Sequence, residues 1–239
     1  MRNVTVAAVQ MQCSHILAEN LATAERLVRQ AAGQGAQIIL LPELFERPYF
    51  CQERQYDYYS YAKSVEENDA VQHFIPIARE LQVVIPISFY EKDGNSLYNS
   101  IAVIDADGSV LGVYRKTHIP DDHYYQEKFY FTPGNTGYKV WETRYAKIGI
   151  GICWDQWFPE TARCLALNGA ELLFTQQLSA QSRFWIQIAK DIGNGPCKGM
   201  LRPISRRSLR PTVSAWSKSS HLRKMAASHP ACNFTVPPL

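Results

Sequence analysis

Apolar and polar positions alternate from the first residues of the chain, and the period-two pattern over residues 4–11 predicts a strand. Leu21, Ala24, Leu27 and Ala31 then recur at helical spacing, which predicts a helix over 20–33 that Gly33 and Gly35 close. AQIILLPELF reads as a buried strand running into a loop. A second amphipathic helix is predicted over 70–81, with Val71, Phe74, Ile75, Ile77 and Ala78 on its apolar side. VVIPISFYE is a strand that enters a turn at Asp93, Gly94 and Asn95. SLYNSIAVI and SVLGVYRKTHI form a strand pair across the turn at Asp105, Ala106, Asp107 and Gly108. KIGIGIC is another buried strand, a helix over 159–168 starts with Pro159 in its first turn, and ELLF opens one more strand. Strands separated by helices, with a strand pair between them, predict a mixed α/β layered domain.

The pattern stops after Phe174. The remaining segment has no sustained period of 2 or 3.6, and nine serines fall between Ser179 and Ser228. Charge changes at the same place. The net charge of +3 divides into ten Lys/Arg against one acid, Asp191, from Thr175 onward, and 15 basic against 21 acidic residues before it. The basic character behind the pI near 8.5 therefore belongs to the tail alone, which weakens any reading of the whole chain as a nucleic-acid binder. A non-catalytic protein with a basic nucleic-acid-binding tail stays open as one alternative.

Composition narrows the class further. With 239 residues, 46% hydrophobic and 20% charged, the chain is an ordinary globular protein. No apolar run approaches the roughly 18 residues of a membrane span, so no membrane partner is expected. The N-terminus lacks a signal peptide's apolar block, and a cytoplasmic location is expected. Cys13, Cys51, Cys153, Cys164, Cys197 and Cys232 lie far apart with no CxxC pair; reduced thiols and no metal site are expected.

Three polar residues stand where apolar strands end: Glu43 after IILLP, Lys116 in GVYRKTHIPD and Cys153 after KIGIGI. Strand ends facing a loop are rigid and accessible, which suits catalytic groups. Each residue alone has a plainer reading, as a helix cap, a solvated edge charge and a packed thiol respectively. Together they supply base, cation and nucleophile. A thiol of ordinary pKa, about 8.5, is mostly protonated at neutral pH, so a cysteine nucleophile needs a base. A carboxylate can take its proton, and an ammonium can hold the charge that grows on an attacked carbonyl oxygen. Such a set suits cleavage of a carbon–nitrogen bond through a thioester.

LLPELF, YRKTHIPD, YQEKFYFTPG and GICWDQWFPE resemble, in order, the motifs of the carbon–nitrogen hydrolase (nitrilase) superfamily over about residues 4–174. The resemblance implies an α/β fold, a four-layer αββα sandwich, and a homo-oligomer. By motif it implies Glu43 as general base, Lys116 as oxyanion stabiliser, Cys153 as nucleophile and Glu127 as a second acid that positions Lys116. The Trp154 N–H would complete the oxyanion hole, and His118 or His123 would approach the substrate's amine end; loop packing is the plainer role for both histidines. No cofactor is implied. The implied partner is a small-molecule N-carbamoyl amine, with N-carbamoyl-β-alanine, N-carbamoyl amino acids or aliphatic amides as alternatives.

After ELLF the expected motifs are absent. With synonymous codons chosen freely, another frame can spell them. TQQLSAQSR can be encoded ACC CAA CAG CTA TCG GCT CAG AGC CG, whose shifted frame reads PTAIGSEP. DIGNGPCKGMLRP likewise yields HWQRTMQGHAAA, and RSLRPTVSA yields VVAANRVG. The expectation is that residues 1–174 are the hydrolase domain, incomplete at its C-terminal part, and that 175–239 is an out-of-frame, unstructured basic tail. A chain so altered is expected to be insoluble or inactive, its sandwich left with uncovered apolar faces.

Overall fold

The computed structural model describes residues 2–177, 185–188 and 232–236. In chain order these contain β1 (Arg2–Ala8), α1 (Leu17–Gly33), β2 (Ile38–Leu40), α2 (Asp69–Leu81), β3 (Ile85–Asp93), β4 (Ser96–Ile104) and β5 (Val110–Arg115). A short hairpin, β6 (Asp121–Asp122) and β7 (Tyr125–Gln126), comes next, then β8 (Val140–Glu142), β9 (Lys147–Ile152), α3 (Pro159–Leu167) and β10 (Leu172–Gln176). β11 (Trp185–Ile188) and β12 (Cys232–Val236) follow.

The apolar alternation sorts these elements into layers. β1 and β2 pair in parallel across the α1 crossover, and β3, β4 and β5 form an antiparallel meander. A bridge between Ile38 and Val84 brings the two sheets edge to edge. One face of this layer carries Ala7, Ile39, Leu41, Ala102 and Ile104 into a core with Val28, Phe74 and Ala78 of α1 and α2. The opposite face carries Val4, Val6, Ile38, Leu40, Ile101 and Val103 into a second core. That core is completed by the second sheet, ordered β11-β10-β9-β8, through Ile148, Ile150, Ile152, Leu172 and Phe174. α3 covers the outer face of this sheet, where Leu165 packs with Leu173. The order is helix, sheet, sheet, helix: the expected αββα sandwich.

KIGIGIC shows how sequence makes this packing. Its isoleucines all point into the core between the sheets and are fully buried, each contributing about 1.5–3 kcal/mol. Its glycines face α3. A Cβ at Gly149 would stand 3.0 Å from both Leu165 Cβ and Leu173 Cδ2, and one at Gly151 would stand 3.3 Å from Asp155 Cβ and Thr161 Cγ2. Glycine is what lets α3 lie this close to β9.

Two local expectations need correction: the strand expected over 4–11 is Arg2–Ala8, and the one expected to reach residue 119 ends at Arg115. AQIILLPELF is a strand, Ile38–Leu40, that runs into a loop, as expected. Pro42 offers no N–H, and the Leu41 carbonyl is taken instead by Gln176 Nε2 at 2.5 Å. The expectation of an unstructured tail falls largely outside the described residues. Of 175–239 the structure describes residues 175–177, β11 beside β10, and β12 antiparallel to β1.

Candidate active site

The ends of β2, β5 and β9 bring Glu43, Lys116 and Cys153 together, and the 3-10 turn Glu127–Phe129 adds Glu127. Glu43 is 3% exposed, and Lys116 and Glu127 are fully buried. Two of these strand ends turn through left-handed backbone, at Leu44 (φ 50°) and at Cys153 itself (φ 46°). Neither is glycine, so both positions are held against their intrinsic preference, as functional turns often are. The Leu44 N–H donates to Ser88 Oγ on β3 at 3.0 Å, and the Glu43 N–H to the Gln177 carbonyl at 2.9 Å. Lys116 is held by its own N–H on the Asn99 carbonyl of β4 at 2.8 Å.

The side chains form one ionic cluster. Lys116 Nζ donates to Glu43 Oε1 at 3.0 Å and to Glu127 Oε2 at 2.7 Å. Asn99 Nδ2 also donates to Glu43 Oε1, at 2.7 Å, and Tyr49 OH donates to Glu127 Oε1 at 2.7 Å. Glu43 Oε2 is buried without a hydrogen-bond partner among the described residues. One ammonium between two carboxylates leaves the cluster negative, and its proton affinities follow. Burial raises the Glu43 pKa above the carboxylate value, against the pull of Lys116. Burial alone would lower the Lys116 pKa, but Glu127, Glu43 and Cys153 hold it well above the usual lysine value. The Cys153 thiol is pushed up by burial and by the Glu43 charge, with Lys116 opposing. A thiol at its strand end, a carboxylate of raised basicity and a fixed ammonium can transfer a proton and hold a developing oxyanion.

The other expected residues fall differently. Trp154, 38% exposed, follows Cys153 and sets its ring edge-on to Phe158 at 5.3 Å. His118 lies in the loop after Lys116, its ring stacked on Phe158 at 3.5 Å and its Nδ1 2.7 Å from Asp155 Oδ1. His123 is exposed beyond β6, against Tyr124 at 4.0 Å, and is not drawn into the ionic cluster.

Asn99, Tyr49 and Asp155 were missed from sequence. Asn99 could have been found as a polar residue in the buried run of SLYNSIAVI. Tyr49 carries no such signal, because its hydroxyl reaches Glu127 across 78 positions of chain. The Tyr49 ring also lines an open cleft of about 500 Å³ with Phe50, Tyr58, Tyr61, Glu53 and Arg47.

Known proteins share this fold and much of this sequence. Residues 5–193 match the carbon–nitrogen hydrolase family model. The chain is 57% identical over 171 residues to an N-carbamoylputrescine amidase of Oryza sativa, covering 72% of this chain and 57% of that protein. It is 55% identical over 173 residues to a citrullinase of Francisella tularensis, covering 72% and 60%. The chain thus spans less than two thirds of the length of these relatives. A carbon–nitrogen hydrolase structure from Helicobacter pylori superimposes with a TM-score of 0.69 at 35% identity, over 73% of this chain and 60% of that one. The fold also matches Saccharomyces cerevisiae Nit3, a nitrilase-superfamily member, with a TM-score of 0.65 at 20% identity, over 79% and 83%. With a family match that runs through Glu43, Lys116, Glu127 and Cys153, the chain belongs to the carbon–nitrogen hydrolase family.

Proposed function

We propose that this site hydrolyses the carbon–nitrogen bond of a terminal ureido group, with N-carbamoylputrescine as the preferred substrate. The observation that carries the reading is the Lys116 ammonium, bonded to Glu43 and Glu127 in a fully buried cluster beside the Cys153 thiol. Glu43 takes the thiol proton, and the sulfur attacks the carbamoyl carbon. Lys116, with the Trp154 N–H, holds the oxyanion. Collapse of the adduct expels ammonia, which leaves with the proton from Glu43, and forms a carbamoyl thioester on Cys153. Water, deprotonated by Glu43, then cleaves the thioester and returns the thiol. The carbamic acid released breaks down to putrescine and CO2. Glu127 holds Lys116 in place throughout.

Citrulline is the second reading, favoured by the citrullinase relative. N-carbamoylputrescine and citrulline both end in a ureido group on a short alkyl chain, and they differ by a carboxylate beside the distal ammonium.

We further infer that residues 175–239 are translated out of frame and that turnover needs the other frame. Similarity to the amidase and citrullinase relatives spans 171 and 173 residues, about as many as precede the proposed shift. Gln176 Oε1 and Gln177 Nε2, just past it, are buried without partners among the described residues. Such orphaned polar atoms cost roughly 1–3 kcal/mol each, and the shifted frame replaces these glutamines with smaller residues.

The test is ammonia release from N-carbamoylputrescine, citrulline, N-carbamoyl-β-alanine and an aliphatic amide. It is run on the 239-residue chain and on the chain with the frame after Phe174 restored. Release from N-carbamoylputrescine first among the four, by the restored chain alone, is expected. Citrulline as the better substrate would move the assignment to the second reading. Equal turnover by both chains would remove the frame proposal, and no release from any ureido compound by either would remove the function.

A further inference from the structure

Asp155 is fully buried and has no ammonium or guanidinium partner among the described residues. A buried carboxylate is costly unless its lone pairs are filled, and here each oxygen has two partners. Oδ2 accepts the Ile152 N–H at 2.9 Å and the Tyr114 hydroxyl at 2.7 Å. Oδ1 accepts the His118 N–H at 3.0 Å and stands 2.7 Å from His118 Nδ1.

These partners come from the two strand ends that meet at the site. Ile152 is the last residue of β9, immediately before Cys153 and its left-handed backbone. Tyr114 is the penultimate residue of β5, and His118 follows Lys116 by two positions. The carboxylate therefore holds the nucleophile's strand end and the ammonium's strand end at one fixed distance. The His118 ring is itself clamped, stacked on Phe158 at 3.5 Å with 5° between planes.

We propose that Asp155 is a positioning residue that sets Cys153 relative to Lys116 and Glu43. This rests on reading Cys153 as the nucleophile. An amide at position 155 places its NH2 against a pair of groups that includes a backbone N–H, of Ile152 or of His118. That donor loses its acceptor, and one strand end moves away from the other. Asp155 touches no reacting atom in this scheme; it acts through the backbone of Ile152 and through His118.

The experiment measures iodoacetamide alkylation of Cys153 by peptide mass spectrometry, with Cys164 on α3 as internal reference, in the 239-residue chain or, where that chain is insoluble, in the chain with the frame after Phe174 restored. Alkylation needs no amide substrate, so its outcome is independent of whether a ureido compound is hydrolysed. In Asp155→Asn the Cys153 rate is expected to shift by about tenfold or more relative to Cys164, because a nucleophile displaced by an ångström leaves the Glu43 and Lys116 charges that set its reactivity. A residue that merely stabilised the fold would lower the melting temperature and leave the Cys153 rate unchanged well below it. An unchanged rate in folded Asp155→Asn overturns the proposal. Should that variant not fold, Tyr114→Phe, which removes one of the two bonds on Oδ2, is expected to shift the Cys153 rate about threefold. An unchanged Cys153 rate in folded Tyr114→Phe overturns it equally.

Discussion

Lys116 Nζ lies 2.7 Å from Glu127 Oε2, and both side chains are wholly shielded from solvent. The same ammonium reaches Glu43 at 3.0 Å, so two buried carboxylates depend on one cation. Removing one partner of a buried pair leaves an uncompensated charge and costs far more than the pair is worth.

Lys116→Met is therefore expected to destabilise the fold by about 3–5 kcal/mol at neutral pH. The loss depends on pH in a defined direction. Burial already raises the folded-state Glu43 pKa above 4.5, and loss of Lys116 raises it further. A raised carboxyl pKa favours the folded state below 4.5 and loses that contribution as pH rises through the folded value. The deficit of Lys116→Met should thus be small near pH 4.5 and largest above pH 7. Denaturant midpoints of both proteins across that range check this; a deficit that grows toward acid pH contradicts it.

Glu43→Gln separates basicity from reactivity. The Glu43 charge helps to hold the Cys153 thiol pKa up, while Lys116 pulls it down. The substitution should lower the pH midpoint for alkylation of Cys153. It should also reduce ammonia release by the frame-restored chain by roughly a hundredfold or more, since no base remains to take and return the proton. A midpoint that rises, or turnover that survives, contradicts the assignment.

Glu46 supplies a test away from the chemistry. It receives two bonds from Asn68 Nδ2, at 3.1 and 3.2 Å, and burial lifts its pKa to about 7. Asn68 also caps α2 through the Val71 N–H. The raised pKa favours the folded state fully below 4.5, and that contribution fades as pH rises to about 7, by up to roughly 3 kcal/mol. Glu46→Gln should therefore match the native chain near pH 4.5 and be more stable by up to that amount at pH 8. Thermal midpoints at the two pH values measure it, and equal differences at both would contradict it.

Much of this was legible in advance, for a physical reason. Elements whose apolar faces repeat regularly declared themselves: β4 runs over Ser96–Ile104 as expected, and α2 over Asp69–Leu81 begins one residue earlier than its pattern. β8, Val140–Glu142, escaped because three residues with only Trp141 buried carry no period. The trio was legible because each member sits at the end of an apolar strand. Its supports were not, because Asn99, Tyr49 and Asp155 act through long-range hydrogen bonds that leave no spacing in the sequence. His118 is the instructive case. Sequence allowed it a substrate contact or a packing role, and in the structure it bonds to Asp155 and stacks on Phe158.

The most direct measurement is acid-quench mass spectrometry of the frame-restored chain during turnover of N-carbamoylputrescine. A mass increase equal to the substrate less ammonia should appear on the peptide holding Cys153, should be absent in Glu43→Gln, and should decay as putrescine forms. An adduct on any other residue, or unchanged ammonia release in Cys153→Ala, would contradict the Glu43–Lys116–Cys153 mechanism.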